Sequence, residues 1–386
     1  MGCVLHEYSG HAEKGWSCLN AAMESWLMCS VKLAKKVGKD DPRRVTHSVK
    51  VGMAVVFASL FYYLHPVYNS YSVDTIWTLI TVVVVLEFSV GATIGKGLNR
   101  RLATLISGVL VVGAHFLATI SGQVGHPILI AILVFLQGAV FTFLRFFPNL
   151  KVAYDYGLSI SILTFSMVSV SGFHSDQVID IALKRLSTIL IGIVISFATS
   201  IIFFPVWAGQ DLHDLLVLNM EKLATLLQYL LSDNIIDCDY TSIIINSRIQ
   251  EENFANFERW EPAHGKFMFS HPWKTYLSLG NLTRECAYQI EVALIKNNTY
   301  KIDEAAGTVV GRVQETCREL SVECSKAIMT LSLAMKTMTK PCLADLHVAM
   351  SRNTSQRLQI LLKETDHMNN NNDIIIATLP LLQIMC

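Results

Sequence analysis

Few ionisable side chains fall inside the apolar part of this chain, and most of them are basic. Lys184 and Arg185 lie within one long apolar stretch, Lys96, Arg100 and Arg101 gather at the edge of another, and Arg145 follows a third. An ionisable group in hydrocarbon costs at least about 2.5 kcal/mol, so each of these must face protein or water. Positive charge fixed beside a water-filled path replaces part of an anion's hydration, which is the chemistry of an anion pore. Arg185 is the leading candidate, because it sits near the end of a span where basic residues are otherwise absent; snorkelling to the interface is the other role open to it and to Lys184. Arginine suits a carboxylate better than lysine, since its planar fork donates two parallel hydrogen bonds. Lys96, Arg100 and Arg101 also fit ordinary anchoring at a membrane edge, with Gly95 and Gly97 leaving room for close backbone approach. Glu87 is the one acid deep in the apolar region, placed to pair with a nearby base or to take part in gating.

Catalysis finds no support. The chain has no H-E-x-x-H, no G-x-S-x-G, no phosphate-cradling glycine loop and no Cys-His cluster, and His47, His65, His115, His126 and His174 are scattered singly. A nucleotide-driven pump lacks its phosphate-binding motif for the same reason. No metal, cofactor or nucleic-acid partner is expected.

The elements that must position these residues are membrane helices. Hydrophobic residues make up 52% of the chain and charged ones only 16%, against roughly 25% charged in an ordinary soluble domain. Apolar runs near the length that crosses a bilayer predict six spans: Ser48 to His65, Thr75 to Thr93, Leu102 to Ile120, Pro127 to Leu144, Tyr156 to Phe173 and Ile179 to Phe204. Lys50 is close enough to the end of the first to snorkel. Lys35, Lys36, Lys39, Arg43 and Arg44 precede span one, Lys96, Arg100 and Arg101 follow span two, and Arg145 and Lys151 follow span four. The stretches 66–74 and 121–126 carry no Lys or Arg, so both termini are expected in the cytosol. The sequons at Asn281, Asn297 and Asn353 would then escape glycosylation.

The expected fold is all-α, in three parts: residues 1–45 as a cytosolic N-terminal segment, 46–207 as the transmembrane domain and 208–386 as a cytosolic helical domain. Trp16, Leu19, Met23, Trp26, Leu27 and Leu33 fall near helical spacing, as an interfacial helix requires. Amphipathic helices are predicted over Leu212–Leu231, Tyr276–Ile295, Glu304–Lys336 and Leu346–Lys363. The apolar stretch Asp373–Cys386 is too short to span a bilayer. The first forty residues lack a signal-peptide layout, and His6 stands where a myristoylation pattern after Gly2 wants Ser or Thr. Nine cysteines without a C-x-x-C pair read as free thiols.

The strings Asp41-Pro42-Arg43-Arg44 and Glu87 through Phe88-Ser89-Val90-Gly91-Ala92-Thr93-Ile94-Gly95-Lys96-Gly97-Leu98-Asn99-Arg100 resemble the plant aluminium-activated malate transporter family. Arg145-Phe146-Phe147-Pro148, Tyr154-Asp155-Tyr156-Gly157, Pro205-Val206-Trp207-Ala208-Gly209-Gln210-Asp211-Leu212-His213 and Trp260-Glu261-Pro262 follow the same pattern in the same order. The resemblance implies a homodimeric anion channel of six membrane helices per subunit, with malate as main ion and Arg100 and Arg185 at the family's path-lining positions. Trp260, Glu261 and Glu87 stand as gating candidates. Where many relatives have arginine after Ser-Gly-Phe, this chain has His174, which makes a fixed charge titratable and weakens any expectation of aluminium activation. An ion-coupled dicarboxylate carrier is the main alternative, although neither discontinuous helices nor inverted repeats are evident in the sequence. A membrane scaffold without conductance is a second. The plasma membrane is expected ahead of the vacuolar membrane.

Overall fold

A computed structural model describes residues 23, 25–33, 35–64, 75–171, 178–229, 239–264, 271–299 and 308–368. Its regular elements are α-helices, and the chain divides into two compact units, Met1–Val206 and Trp207–Cys386. The first carries α1 (Pro42–Leu64), α2 (Thr75–Val85), α3 (Val90–Ile120), α4 (Gly122–Leu144), α5 (Pro148–Ser171) and α6 (Val178–Ile202). Residues 25–33 and 35–40 are also helical, with Trp26, Leu27 and Leu33 exposed; Trp16 and Leu19 lie outside the described residues.

Local chemistry sets the ends of these helices. Pro42 opens α1, where its missing N–H is no loss, and the Asp41 carboxylate accepts from the Arg43 amide at 3.1 Å. Ser89 caps α3 by accepting from the Ala92 amide at 3.2 Å. Ala54 and Ala58 of α1 pack on Val82 and Leu86, while Val111, Ala114 and Ala118 of α3 pack with Ile130 of α4 and with Phe165 and Val168 of α5. Small residues at these contacts let helices approach closely where lipid supplies no hydrophobic drive.

Among the described residues, three helices are long and apolar enough to cross a membrane: Val90–Ile120, Gly125–Leu144 and Ile179–Ile202. The largest departure from the sequence reading concerns the second span. A single helix from Thr75 to Thr93 was expected; instead α2 ends at Val85, residues 86–89 are non-helical, and α3 begins at Val90. The Thr93 hydroxyl explains the break, because it accepts from the Glu87 amide at 3.0 Å and donates to the Ser89 carbonyl at 3.0 Å. Lys96, Arg100 and Arg101 therefore lie two to three turns inside a helix and not in a loop between spans.

The second unit comprises α7 (Ala208–Tyr229), α8 (Asp239–Asn246), α9 (Arg248–Glu258), α10 (Trp273–Thr299), α11 (Thr308–Thr337) and α12 (Ala344–Met368). Leu223, Leu226 and Leu227 of α7, Ile290 of α10, Leu320 of α11 and Leu358 of α12 form its main core. The four predicted amphipathic helices are present with shifted ends; α8 and α9 were not anticipated, and α9 has too few apolar residues to give a periodic signal. Cys29, Cys286, Cys317, Cys324 and Cys342 are free thiols. Residues 373–386 lie outside the described ones.

Candidate functional site

Two arginines are buried inside the first unit. Arg100 is 2% exposed and donates from Nη1 to the Tyr156 hydroxyl of α5 at 3.0 Å. Its Nε is buried with no hydrogen-bond partner among the described residues. Arg185, 7% exposed, stacks its guanidinium 3.2 Å from the centre of the Trp77 ring of α2 and reaches Met167 Sδ of α5 at 3.4 Å. Aromatic faces and thioethers can hold a cation by its attraction to the ring and the sulfur.

Their relative depth follows from the helix register. Val90 at the start of α3 bonds the Val206 carbonyl just beyond α6, and a Cβ on Gly97 would meet Ile193 at 3.1 Å, so α3 and α6 run antiparallel. Arg100 is then level with residue 190 of α6, and Arg185 lies about 8 Å further along the axis, at 1.5 Å per residue. Gly97 and, on the α2 side, Gly192 permit this close packing; a Cβ on Gly192 would lie 2.8 Å from Thr81 Cβ. Between and beyond the arginines run buried hydroxyls, including Thr104, Ser107, Ser161, Thr164 and Thr188. Ser107 and Ser161 lie 2.5 Å apart, tying α3 to α5.

The remaining expected residues are placed differently from one another. Lys96 pairs with Glu87 of the 86–89 break and lies 5.8 Å from the centre of the Tyr156 ring. Arg145 makes a two-pronged pair with Asp155, at 2.7 and 3.2 Å, which holds the α4–α5 corner. Lys184 is half-buried beside Arg185. His174 lies outside the described residues. Lys50, expected to snorkel, instead is 1% exposed.

In the second unit, the Glu261 carboxylate accepts from the Ala208 and Gly209 amides at 2.7 and 3.2 Å, capping the start of α7. Trp260 is exposed, with the Arg259 guanidinium 5.9 Å from its ring centre. A group that sequence reasoning missed surrounds this cap. His264 stacks on Trp207 at 3.6 Å, His213 Nδ1 lies 2.9 Å from the Tyr276 hydroxyl, and His271 Nδ1 lies 3.4 Å from the same oxygen. Burial holds the His271 imidazole below its usual value, with His213 and His264 adding to the shift and Glu261 and Asp214 opposing it. His213 lies about fifty residues before His264 and His271, so spacing gave no signal that the three come together. Among the described residues no group of three or more His, Cys, Asp or Glu is arranged to hold a metal ion.

Comparisons with known proteins agree with this architecture. The family model described as aluminium activated malate transporter matches residues 35–377. Aluminum-activated malate transporter 7 of Arabidopsis thaliana is 43% identical, over 86% of this chain and 73% of its own length. Aluminum-activated malate transporter 2 of Arabidopsis thaliana is 44% identical, over 86% and 69%. Aluminum-activated malate transporter 1 of Triticum aestivum is 39% identical, over 86% and 77%. With a family model matched along most of its length and relatives at this identity, the chain belongs to the aluminium-activated malate transporter family.

Proposed function

We propose that this chain is an anion channel that conducts malate and related organic or inorganic anions across a plant membrane, through a path lined by Arg100 and Arg185. The observation that carries the reading is the burial of two guanidiniums, about 8 Å apart in depth, in an otherwise apolar helix bundle, with Arg100 held by the neutral Tyr156 hydroxyl. A buried charge is costly, and Arg100, which has no carboxylate beside it among the described residues, makes sense where a mobile anion completes the site. Malate enters from the printed names of the relatives. In this reading two copies form a homodimer in the bilayer, six helices of each cross it, both termini and residues 208–386 face the cytosol, and Glu261 with Trp260 couples the second unit to gating. Lys96 and Glu87 belong to the cytosolic mouth and Lys184 to the outer one, while His174 enters from the sequence alone, as the residue that makes conduction depend on pH.

The test is current in planar bilayers with malate as sole permeant anion, comparing the parent with Arg100→Ala and Arg185→Ala. The zero-current voltage should follow the malate gradient, and each variant should lose or reshape the current. Well-inserted protein that carries none, or flux that requires a co-transported ion, overturns the channel. A His174→Arg variant whose response to external pH matched the parent would remove His174 from the reading.

A further inference from the structure

Lys50 is a cation that the arginine path does not use. It is 1% exposed, and its ammonium makes no hydrogen bond or ion pair with any described residue. One turn earlier on the same face of α1, His47 Nδ1 is also buried without a partner. Ser200 of α6 is fully buried, and its hydroxyl likewise has no partner.

The register brings these groups to one level. Tyr62 and Thr78 share a hydrogen bond of 2.5 Å, and the Thr78 hydroxyl reaches the Thr188 carbonyl at 3.0 Å, which ties α1, α2 and α6 together at that height. Ala54 packing with Leu86 shows α1 antiparallel to α2; Gly192 against Thr81 shows α2 parallel to α6. Lys50 stands twelve residues before Tyr62 and Ser200 twelve after Thr188, so both lie about 18 Å from that tie, in the same direction. His47 and Phe88 rings are 5.6 Å apart, which adds the 86–89 break to the group. Glu87, the one carboxylate there, is already taken by Lys96.

We infer that Lys50, His47 and Ser200 form a second anion-holding subsite, for a carboxylate or a small inorganic anion, where α1, the 86–89 break and the last turn of α6 meet. A buried lysine and two buried polar atoms without partners, all at one level of the bundle, are what a transient anion would satisfy, the imidazole and hydroxyl turning their protons toward it. The subsite lies about 15 Å beyond Arg100 along α6, on the side away from Arg185, so it extends the arginine path as a third station. This rests on the channel reading above, since it is the permeant anion that would occupy the subsite.

The experiment measures two quantities on the full chain, with malate as probe. One is the malate concentration giving half-maximal current in planar bilayers. The other is the rise in unfolding temperature that malate causes in phosphate-free detergent. Lys50→Met should raise the half-saturating concentration about tenfold or more, the scale of one charge-assisted hydrogen bond, and shrink the thermal rise, while Lys50→Arg keeps both near the parent. If Lys50→Met fails to insert, His47→Asn and Ser200→Ala, which retain the lysine, should each raise half-saturation severalfold. Unchanged half-saturation in a conducting protein overturns the subsite and leaves the channel standing. Rescue of Lys50→Met by Glu87→Gln also overturns it, because Lys50 would then serve Glu87. If the parent carries no current the channel reading falls, and the thermal shift alone decides: its reduction in Lys50→Met supports the subsite, and its absence in the parent overturns it.

Discussion

The two units bury charge in opposite ways. In the second, Glu251 is 1% exposed and fully answered: Asn219 Nδ2 donates to it at 3.1 Å, the Ser247 hydroxyl at 2.8 Å, and Arg284 forms an ion pair with its other oxygen. In the first unit, Arg100 and Lys50 are as deeply buried and lack a carboxylate among the described residues, while Arg185 rests on an indole ring and a thioether. A saturated buried ion holds α7, α9 and α10 in place; an unsaturated one does nothing for the fold that an apolar side chain could not do better. In the proposed reading, the contrast is between structural charge and charge that a passing ligand answers.

Removing the saturated partner should have the largest effect. Arg284→Met leaves Glu251 as a buried uncompensated carboxylate and should destabilise the second unit by about 3 to 5 kcal/mol, read as a fall in unfolding temperature that Glu251→Gln partly reverses. If Arg284→Met is neutral, the comparison breaks at its stronger end. Arg100→Met should do the opposite: malate current is lost, yet the unfolding temperature equals or exceeds that of the parent, as replacement of a buried charge without a carboxylate predicts; Arg185→Met should likewise lose the current. A large loss of stability in Arg100→Met would make that arginine structural.

Smaller effects sharpen the account of the α7 cap. A Cβ on Gly209 would lie 2.5 Å from Glu258 Oε2 and 2.8 Å from His271, so Gly209→Ala should cost about 1 to 3 kcal/mol through forced repacking, seen in thermal unfolding of the full chain. The smallest effect is a pH dependence. Because burial lowers the folded His271 value, the unfolded chain binds the proton more readily, and stability falls as pH drops from about 6.5 toward the lowered value and is level below it. His271→Gln should flatten that part of the profile; an unchanged slope would remove His271 from it.

The ionisable residues of the first unit were legible because membrane burial makes such groups rare and therefore conspicuous: Arg100, Arg185, Lys96 and Glu87 all stood out against apolar neighbours. Their partners were not. That Glu87 takes Lys96 and Arg145 takes Asp155 depends on a helix break and a corner whose backbone bonds involve Thr93 and the residues around Pro148. Lys50 misled in the other direction. Near a helix end the expectation is a side chain that reaches water, but α1 turns that face toward α2 and α6, where Ala54 and Ala58 continue the buried stripe. The histidine and tyrosine group around Glu261 was invisible because residues 207, 213, 264, 271 and 276 come from separate segments.

Sequence by itself determined the helical class, the apolar stretches, the excess of positive charge among them and the family, because solvent preference and residue order are properties of the chain. Tertiary structure decided which cations keep a countercharge. That outcome depends on helix register, on the close approach allowed at Gly97 and Gly192, and on which carboxylates the packing brings within reach, and no local pattern of residues encodes it.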